Sequence, residues 1–257
     1  MIKRKLRIIV FIILAIIFIS GSFITLDFAR LFVIKNELIY KRLLFTNLTK
    51  YSVVILATTI VFLIGKDGLN KSDTTRLKFI FVFILLADIA LGVLKNAYIG
   101  IILFSIVQSG LIIRNGSNLI DVLKNNNYVQ LRKPLYINTF LSTIFCQLLV
   151  FNLIRSLLND STLIYLMIFY AILLSISLWV AISSSIIGAF PNINSKLIST
   201  GMILFILCDI NVGLSMSLRQ GTTHIFIDSI IWIFYTPALL LIALSGYDYT
   251  KIKNRCS

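Results

Sequence analysis

The chain carries a series of long apolar runs, and these runs restrict its fold more than any other feature. The first, Ile8–Leu26, follows four basic residues and is long enough to cross about 30 Å of hydrocarbon. It is typical of a signal anchor with its amino end inside, and small residues around Gly21 leave a cleaved signal peptide as the alternative. We predict an all-α polytopic membrane protein, a bundle of about eight transmembrane helices, from eight such runs: Ile8–Leu26, Leu43–Ile64, Phe79–Leu94, Ala97–Ile113, Leu135–Ile154, Leu163–Phe190, Leu197–Leu218 and Ile225–Ser245.

Composition and charge agree with this class. Of the 257 residues, 58% are hydrophobic and only 13% are charged, which excludes an ordinary soluble domain. The formal charge of +14 reflects topology rather than nucleic-acid binding, because Lys and Arg concentrate in the cytoplasmic loops of membrane proteins. With the amino end inside, 16 basic residues fall inside and 8 outside. We therefore expect a multi-pass protein of a bacterial inner membrane with both termini in the cytoplasm.

The second crossing has the weakest pattern of the eight. Its apolar core, Tyr51–Ile64, has only 14 residues, so Lys50 would have to extend its charged end to the interface. The stretch before it, Asp27–Arg42, places apolar residues at helical spacing among charged ones. This arrangement predicts an amphipathic segment that lies in the membrane interface.

Two of the apolar runs contain an aspartate in similar surroundings. Residues Leu86–Gly92 read LADIALG, and Leu207–Gly213 read LCDINVG. In a helix, positions i and i+4 share a face, so each Asp should lie beside a glycine notch where another backbone can approach. The long polar region Arg114–Lys133 separates the two copies. We interpret the chain as one transmembrane domain, 1–257, with repeat halves 1–113 and 134–257 that form two parallel four-helix repeats.

Asp88 and Asp209 are the candidate catalytic residues. An ionisable group in hydrocarbon costs about 2.5–3.5 kcal/mol on insertion scales, so such residues usually face the bundle interior and mark a site. Both lie at a similar depth on the predicted topology, and we expect the two carboxyl groups to approach within hydrogen-bonding distance, directly or through one water. The alternative is that each one only hydrogen-bonds between helices to stabilise the bundle.

Other polar residues give weaker indications. Lys95 follows Asp88 by seven residues, on nearly the same predicted helix face, where it would meet a lipid phosphate or simply reach the interface. Tyrosines are suited to the wall of a lipid cavity, although interfacial aromatic belts also explain them. The candidate substrate-binding residues are Lys95, Tyr98, Gln108, Asn211 and Tyr235. Three widely spaced cysteines and one histidine, His224, predict no metal site.

The residues around both aspartates resemble the YhhN-type lysoplasmalogenase family of eight-span membrane proteins. The resemblance covers Leu77–Ser245 and includes an Asp after a small residue in the third and seventh spans, here Ala87-Asp88 and Cys208-Asp209. Further similar features are the spacing of Gly100, Phe104 and Gln108, the sixth span from Tyr170 to Ala181, and the last span from Tyr235 to Ser245. The chain departs from the family pattern at three positions: Ala87 replaces a common Gly, Gln108 a common His, and Leu239 a common Gln.

The resemblance implies an enzyme that cleaves the vinyl ether bond of a lysoplasmalogen to a fatty aldehyde and a glycerophospho-headgroup. A buried carboxyl pair suits this reaction because it can hold one proton near neutral pH and thus supply an acid and an anion together. The implied partner is a membrane lipid substrate, with no metal, no other cofactor and no nucleic acid. The sequence leaves open whether the protein forms a homo-oligomer.

Two other classes share some of these features. Proton-coupled transporters and channels also combine repeated halves with intramembrane carboxylates near the midplane. Against this reading, the repeat is parallel and weak, and only Pro237 interrupts a span. A noncatalytic membrane protein is the third class that the sequence allows.

Overall fold

The computed structural model describes residues 2–33, 39–117, 119, 134–144, 161–217 and 222–253. Within these ranges the chain is helical, with no strand and one isolated β-bridge, Gly68 to Tyr247. The main helices, in chain order, are α1 Ile2–Val33, α2 Ile39–Ile64, α3 Lys71–Gly92, α4 Ala97–Gly116, α5 134–144, α6 Ser161–Ile187, α7 Asn192–Ser217, α8 Thr222–Leu244 and α9 Thr250–Lys253.

Six of the described helices are long and apolar enough to cross a membrane, namely α1, α2, α4, α6, α7 and α8. The chain is therefore an all-α polytopic membrane protein, as its sequence predicts. Helix α3 has 22 residues, or about 33 Å, but it carries charges in its first two turns and again at Asp88. Helix α5 is described only over 134–144, so the total of eight crossings stays a prediction.

Contacts between neighbouring helices form a closed circuit. From α1 they pass through α2, α3, α4, α6, α7 and α8 and return to α1, and α2 also touches α8. Helix α5 lies against α6, where the Asn138 amide donates to the Trp179 carbonyl at 3.1 Å and to the Ser183 hydroxyl at 2.9 Å. This arrangement leaves α3 and α7, which carry the two aspartates, on different sides of the circuit.

The helices alternate in direction between two ends of the bundle. We call the end that contains Asp67 and Ser245 the closed end, and the end that contains Lys50 and Asp228 the open end. Lys5 pairs with Asp67 at 3.7 Å, and the Asp248 N–H donates to the Asp67 carbonyl at 3.0 Å. The start of α1 and the residue Asp248, just before α9, therefore both contact Asp67 at the closed end. Helices α3 and α7 both run from the closed end to the open end.

Buried polar groups link the helices at the closed end. Arg114 of α4 donates from Nε and Nη2 to the two oxygens of Asp73 in α3, at 2.8 and 3.2 Å. Its Nη1 donates to the Ser245 hydroxyl at 2.9 Å, and the Asn194 amide of α7 donates to the Ser245 and Tyr247 carbonyls at 2.7 Å each. These bonds join α3, α4, α7 and the end of α8.

The structure corrects the sequence interpretation of Asp27–Arg42. Helix α1 continues without a break to Val33, and α2 has already begun at Ile39. Asp27 is buried and lies 3.5 Å from the Lys50 amine of α2, so its charge is paired inside the bundle. Because this pairing removes the reason for Asp27 to seek the interface, the start of the segment is part of a bundle helix; residues 34–38 lie outside the described ranges.

The glycine notch after Asp88 is filled by a side chain. A Cβ on Gly92 would overlap the ring and hydroxyl of Tyr51, so Tyr51 of α2 packs directly on this position. The prediction that another backbone approaches Gly92 is therefore wrong, because the side chain of Tyr51 occupies that space. On the hairpin side, Leu91 of α3 packs against Gly100 of α4.

Candidate functional site

A cavity of about 120 Å³ lies inside the helix circuit, and both candidate catalytic residues line it. We call it the inner cavity. Asp88 comes from α3 and Asp209 from α7, and the rest of the wall comes from these two helices and from α4, α6 and α8. Apart from these two carboxyl groups, the wall is mostly aromatic and aliphatic: Leu91, Ile101, Phe104, Met167, Tyr170, Ala171, Leu174, Cys208, Val212, Gly213, Ile231, Trp232 and Tyr235.

Each carboxyl group accepts a hydrogen bond from a tyrosine on a different helix. The Tyr235 hydroxyl of α8 donates to Asp88 Oδ2 at 2.7 Å, and the Tyr170 hydroxyl of α6 donates to Asp209 Oδ2 at 2.5 Å. These bonds leave Oδ1 of each aspartate as the oxygen that the tyrosines do not engage. The two sides of the site thus have the same construction, a carboxyl group oriented by a phenol.

Aromatic packing holds the two tyrosines in position. The Tyr235 ring lies edge-to-face against Phe205 and Trp232, with centroids 5.8 and 5.4 Å apart. Phe104 of α4 packs near both Phe205 and Tyr170, at 6.2 and 6.4 Å. Such pairs contribute about 0.5–1.5 kcal/mol each beyond area burial, so the hydroxyl groups are anchored by their rings.

The local sequence explains why the aspartates reach the cavity. Each lies 17 residues after the first residue of its helix, Lys71 for Asp88 and Asn192 for Asp209, which is about 26 Å along the axis. The residues just before them, Ala87 and Cys208, are buried in the hydrophobic core. Asp88 and Asp209 follow these residues and line the cavity, and each lies at the same distance from the start of its helix.

A second cavity, of about 260 Å³, adjoins the first at the open end. We call it the outer cavity. Both cavities share Asp88, Leu91, Val212, Ile231 and Trp232, whereas Asp209 lines only the inner one. The outer cavity adds the polar residues Lys50, Tyr51, Ser215 and Asp228. Asp88 therefore stands where an apolar chamber meets a polar one.

Lys50 joins three helices beside the outer cavity. Its amine lies 2.5 Å from Asp228 Oδ2 of α8 and 3.5 Å from Asp27 Oδ2 of α1. The amine also lies 5.8 Å from the ring centroids of both Phe23 and Trp232. Lys50 is thus buried within the bundle and does not extend to the interface. Helix α2 can accommodate this charge because two carboxylates compensate it.

Of the predicted site residues, the structure brings Asp88, Asp209 and Tyr235 together on the inner cavity. Gln108 is fully buried behind Tyr170 and is not on the cavity wall. Its amide nitrogen and oxygen have no partner of good hydrogen-bond geometry within the described ranges. Gln108 therefore lies near the Tyr170 hydroxyl but off the cavity wall.

The other predicted residues lie elsewhere. Helix α3 ends at Gly92, so Lys95 falls in the link to α4, where it is exposed and has a left-handed φ of 49°. Its predicted place on the Asp88 face is wrong because the helix stops before it. Tyr98 is exposed on the first turn of α4, and the Asn211 amide donates within α7 to the Leu207 carbonyl at 2.7 Å. None of these three lines the inner or the outer cavity.

Sequence reasoning missed several residues of the site. Tyr170 lies in an apolar run where nothing marks it as different from a buried aromatic residue. Lys50, Asp27 and Asp228 belong to three separate helices. Their charge, in or near apolar runs, is the one sequence feature that could have indicated a role in the site. Ala87 and Leu239, which depart from the family pattern, are both fully buried in the core and lie off the cavity wall.

Comparison with known proteins identifies the family. The YhhN family model matches residues 45–246, which include all of α3, α4, α6, α7 and α8. Neither the curated proteins nor the solved structures include a match to this chain. The matched region contains both aspartates and both tyrosines that bind them, and it covers well over half of the sequence. The chain is therefore a membrane protein of the YhhN family.

Proposed function

We propose that this protein hydrolyses the vinyl ether bond of a lysoplasmalogen, releasing a fatty aldehyde and a glycerophospho-headgroup. The observation that carries the proposal is that Asp88 and Asp209 line one largely apolar cavity, each oriented by a tyrosine hydroxyl. An enol ether requires an acid to start the reaction and an anion to stabilise the cation that results. Two carboxyl groups in a largely apolar chamber suit both tasks.

The position of the two cavities, which share five lining residues, suggests how the substrate is oriented. The outer cavity has charged walls and suits the headgroup, while the inner cavity suits the start of the alkenyl chain. The β-carbon of the enol ether, on the chain side, then lies nearer Asp209, and the ether oxygen lies nearer the junction at Asp88. We assign proton donation to Asp209 and activation of water to Asp88, because Asp88 also lines the polar outer cavity, whose walls suit water better than those of the inner cavity.

The proposed reaction balances without a further reactant. The acid form of Asp209 gives its proton to the β-carbon, and the double-bond electrons form the new C–H bond, which leaves an oxocarbenium ion. Water bonds to the α-carbon as its proton passes to the Asp88 carboxylate. The hemiacetal then collapses to the aldehyde and the free glycerol hydroxyl, and proton exchange with solvent restores the initial state.

The experiment is aldehyde release from a purified lysoplasmalogen in detergent by the parent, Asp88→Asn, Asp209→Asn and the double variant. Asn keeps the shape of each side chain but removes its proton, so we expect each single variant to lose at least about 100-fold in kcat. The double variant should be little worse, since groups that act as one unit are not additive. Asp248→Asn, at the closed end, is the matched control and should keep full activity.

Two measurements make this test decisive. Thermal unfolding should show the Asn variants to be as stable as the parent, which separates catalysis from packing. The matching acyl lysophospholipid should not be cleaved, because its ester has no enol carbon to protonate. Active Asn variants would reduce both aspartates to structural residues, and proton-coupled solute flux in proteoliposomes without aldehyde release would favour a transporter.

A further inference from the structure

The outer cavity contains charges that the proposed chemistry does not use. Its polar wall is formed by Lys50, Tyr51, Ser215 and Asp228, and Trp232 is one of the five residues that it shares with the inner cavity. Lys50 and Asp228 are 178 residues apart in sequence, and the contact of α2 with α8 brings them together. A buried ion pair is weak evidence for stability, so its place on a cavity wall calls for another explanation.

Among the described side chains that line this wall, two carboxylates, Asp88 and Asp228, accompany one cation, Lys50. Lys50 contacts two carboxylates, and its side chain and that of Asp27 are only 8% and 6% exposed. The Asp228 side chain, by contrast, is 39% exposed and lines the cavity, whereas Asp27 does not. Asp27 thus compensates Lys50 from within the bundle. The carboxylate of Asp228 presents the excess negative charge to whatever enters the outer cavity.

An aromatic wall stands beside this carboxylate. Trp232 lines the outer cavity, and it already accepts one cation, the Lys50 amine, 5.8 Å from its ring centroid. A carboxylate next to an indole is an arrangement that binds ammonium groups, by charge attraction and by the cation–π interaction. A ligand with net negative charge would instead meet both Asp228 and Asp88 as it entered.

We propose that the outer cavity is a headgroup subsite in which Asp228 and Trp232 bind the ammonium group of a zwitterionic lysolipid. This assignment rests on the proposed function only for the identity of the lipid. Lys50 acts as a positioning residue, because it binds Oδ2 of Asp228, a residue that lines the cavity, and does not engage Oδ1. Asp228 then determines specificity by the charge of the headgroup.

Binding is the primary measurement, so the test does not depend on turnover. The probes are three stable alkyl-ether lipids of equal chain length: an alkyl glycerophosphocholine, an alkylglycerol phosphate and an alkylglycerol. Quenching of Trp232 fluorescence reports binding in full-length protein that carries Trp179→Phe, since these two residues are the only tryptophans. The variants are Asp228→Asn, the conservative Asp228→Glu and the control Asp248→Asn.

The expected result is a change in the ratio of affinities. In Asp228→Asn the preference for the choline lipid over the alkylglycerol should fall about 10-fold or more, as expected for loss of a bond to a charged group. Asp228→Glu should keep most of that preference, and the control should keep all of it. The phosphate lipid should bind the Asn variant more tightly than the parent.

Other outcomes overturn the inference. If the ratio of affinities for the choline lipid and the alkylglycerol is unchanged in Asp228→Asn, Asp228 does not bind the ammonium group. Equal weakening of all three lipids would show a purely structural role for Asp228. If the parent binds the choline lipid with the expected preference but releases no aldehyde from the alkenyl lipid, the subsite stands and the proposed hydrolysis fails.

Discussion

Ion pairs link helices at both ends of the bundle, but their surroundings differ. At the closed end, Arg114 and Asp73 form a two-fold hydrogen-bonded pair with side chains only 1% and 5% exposed. At the open end, Lys50 and Asp228 form a pair whose carboxylate is 39% exposed and lines a cavity. The first pair is sealed from solvent and ligand, and the second is accessible to both.

The difference shows how the same kind of interaction serves two purposes. The planar guanidinium of Arg114 satisfies both Asp73 oxygens and Ser245 at once, which suits a permanent joint. The compact amine of Lys50 leaves one oxygen of Asp228 available. Charge is thus neutralised where the helices are held together and left partly uncompensated where the cavity opens.

The largest effect should come from breaking the closed-end pair. Arg114→Met leaves Asp73 buried without its partner, and we expect a loss of about 3–5 kcal/mol in the free energy of unfolding. Thermal unfolding in detergent measures this loss. The double variant Arg114→Met/Asp73→Leu should recover most of the stability, because no buried charge remains; failure to recover would mean that Arg114 stabilises the bundle through Ser245 or Phe190 instead.

A smaller loss is expected at the joint between α2 and α3 beside the open end. Gly92→Ala introduces a methyl group into the space of the Tyr51 ring, and overpacking of this kind costs about 1–3 kcal/mol. Gly21→Ala is the matched control, since a Cβ there meets nothing within 4 Å. Equal unfolding temperatures for the two variants would show that α2 and α3 separate without cost.

Asp228→Asn should affect stability least among these substitutions. Lys50 keeps Asp27 as its partner, and the lost carboxylate is more than a third exposed, so the change should be under about 1 kcal/mol. The unfolding temperatures of Asp228→Asn and Arg114→Met, measured in detergent, compare the two losses of stability. A loss as large as that of Arg114→Met would contradict the distinction between the two ends.

A labelling experiment places the two ends relative to the membrane and should leave the fold undisturbed. We propose that the closed end faces the cytoplasm of a bacterial inner membrane. Lys66→Cys and Lys95→Cys put exposed thiols at the closed and open ends, in a background where Cys146 and Cys256 are alanine. An impermeant maleimide added to intact cells should label Cys at position 95 only; the reverse pattern would invert the topology.

Much of the architecture was predictable from local patterns. The length of the apolar runs predicted the helices, and the cost of a carboxylate in hydrocarbon singled out Asp88 and Asp209, which the structure places on one cavity. Boundaries were less predictable. Helical spacing places Lys95 on the face of Asp88 and Asp27–Arg42 at the interface, but spacing alone does not tell where a helix ends.

The sequence by itself determined the membrane class, the family and the two aspartates, since each depends on residues that are close together along the chain. Only the tertiary structure decided which groups meet these aspartates. Tyr170 and Tyr235 come from α6 and α8, and the Lys50 cluster draws its members from three helices. Helical periodicity predicts which face a residue occupies, but the partner on the facing helix depends on how all the helices pack.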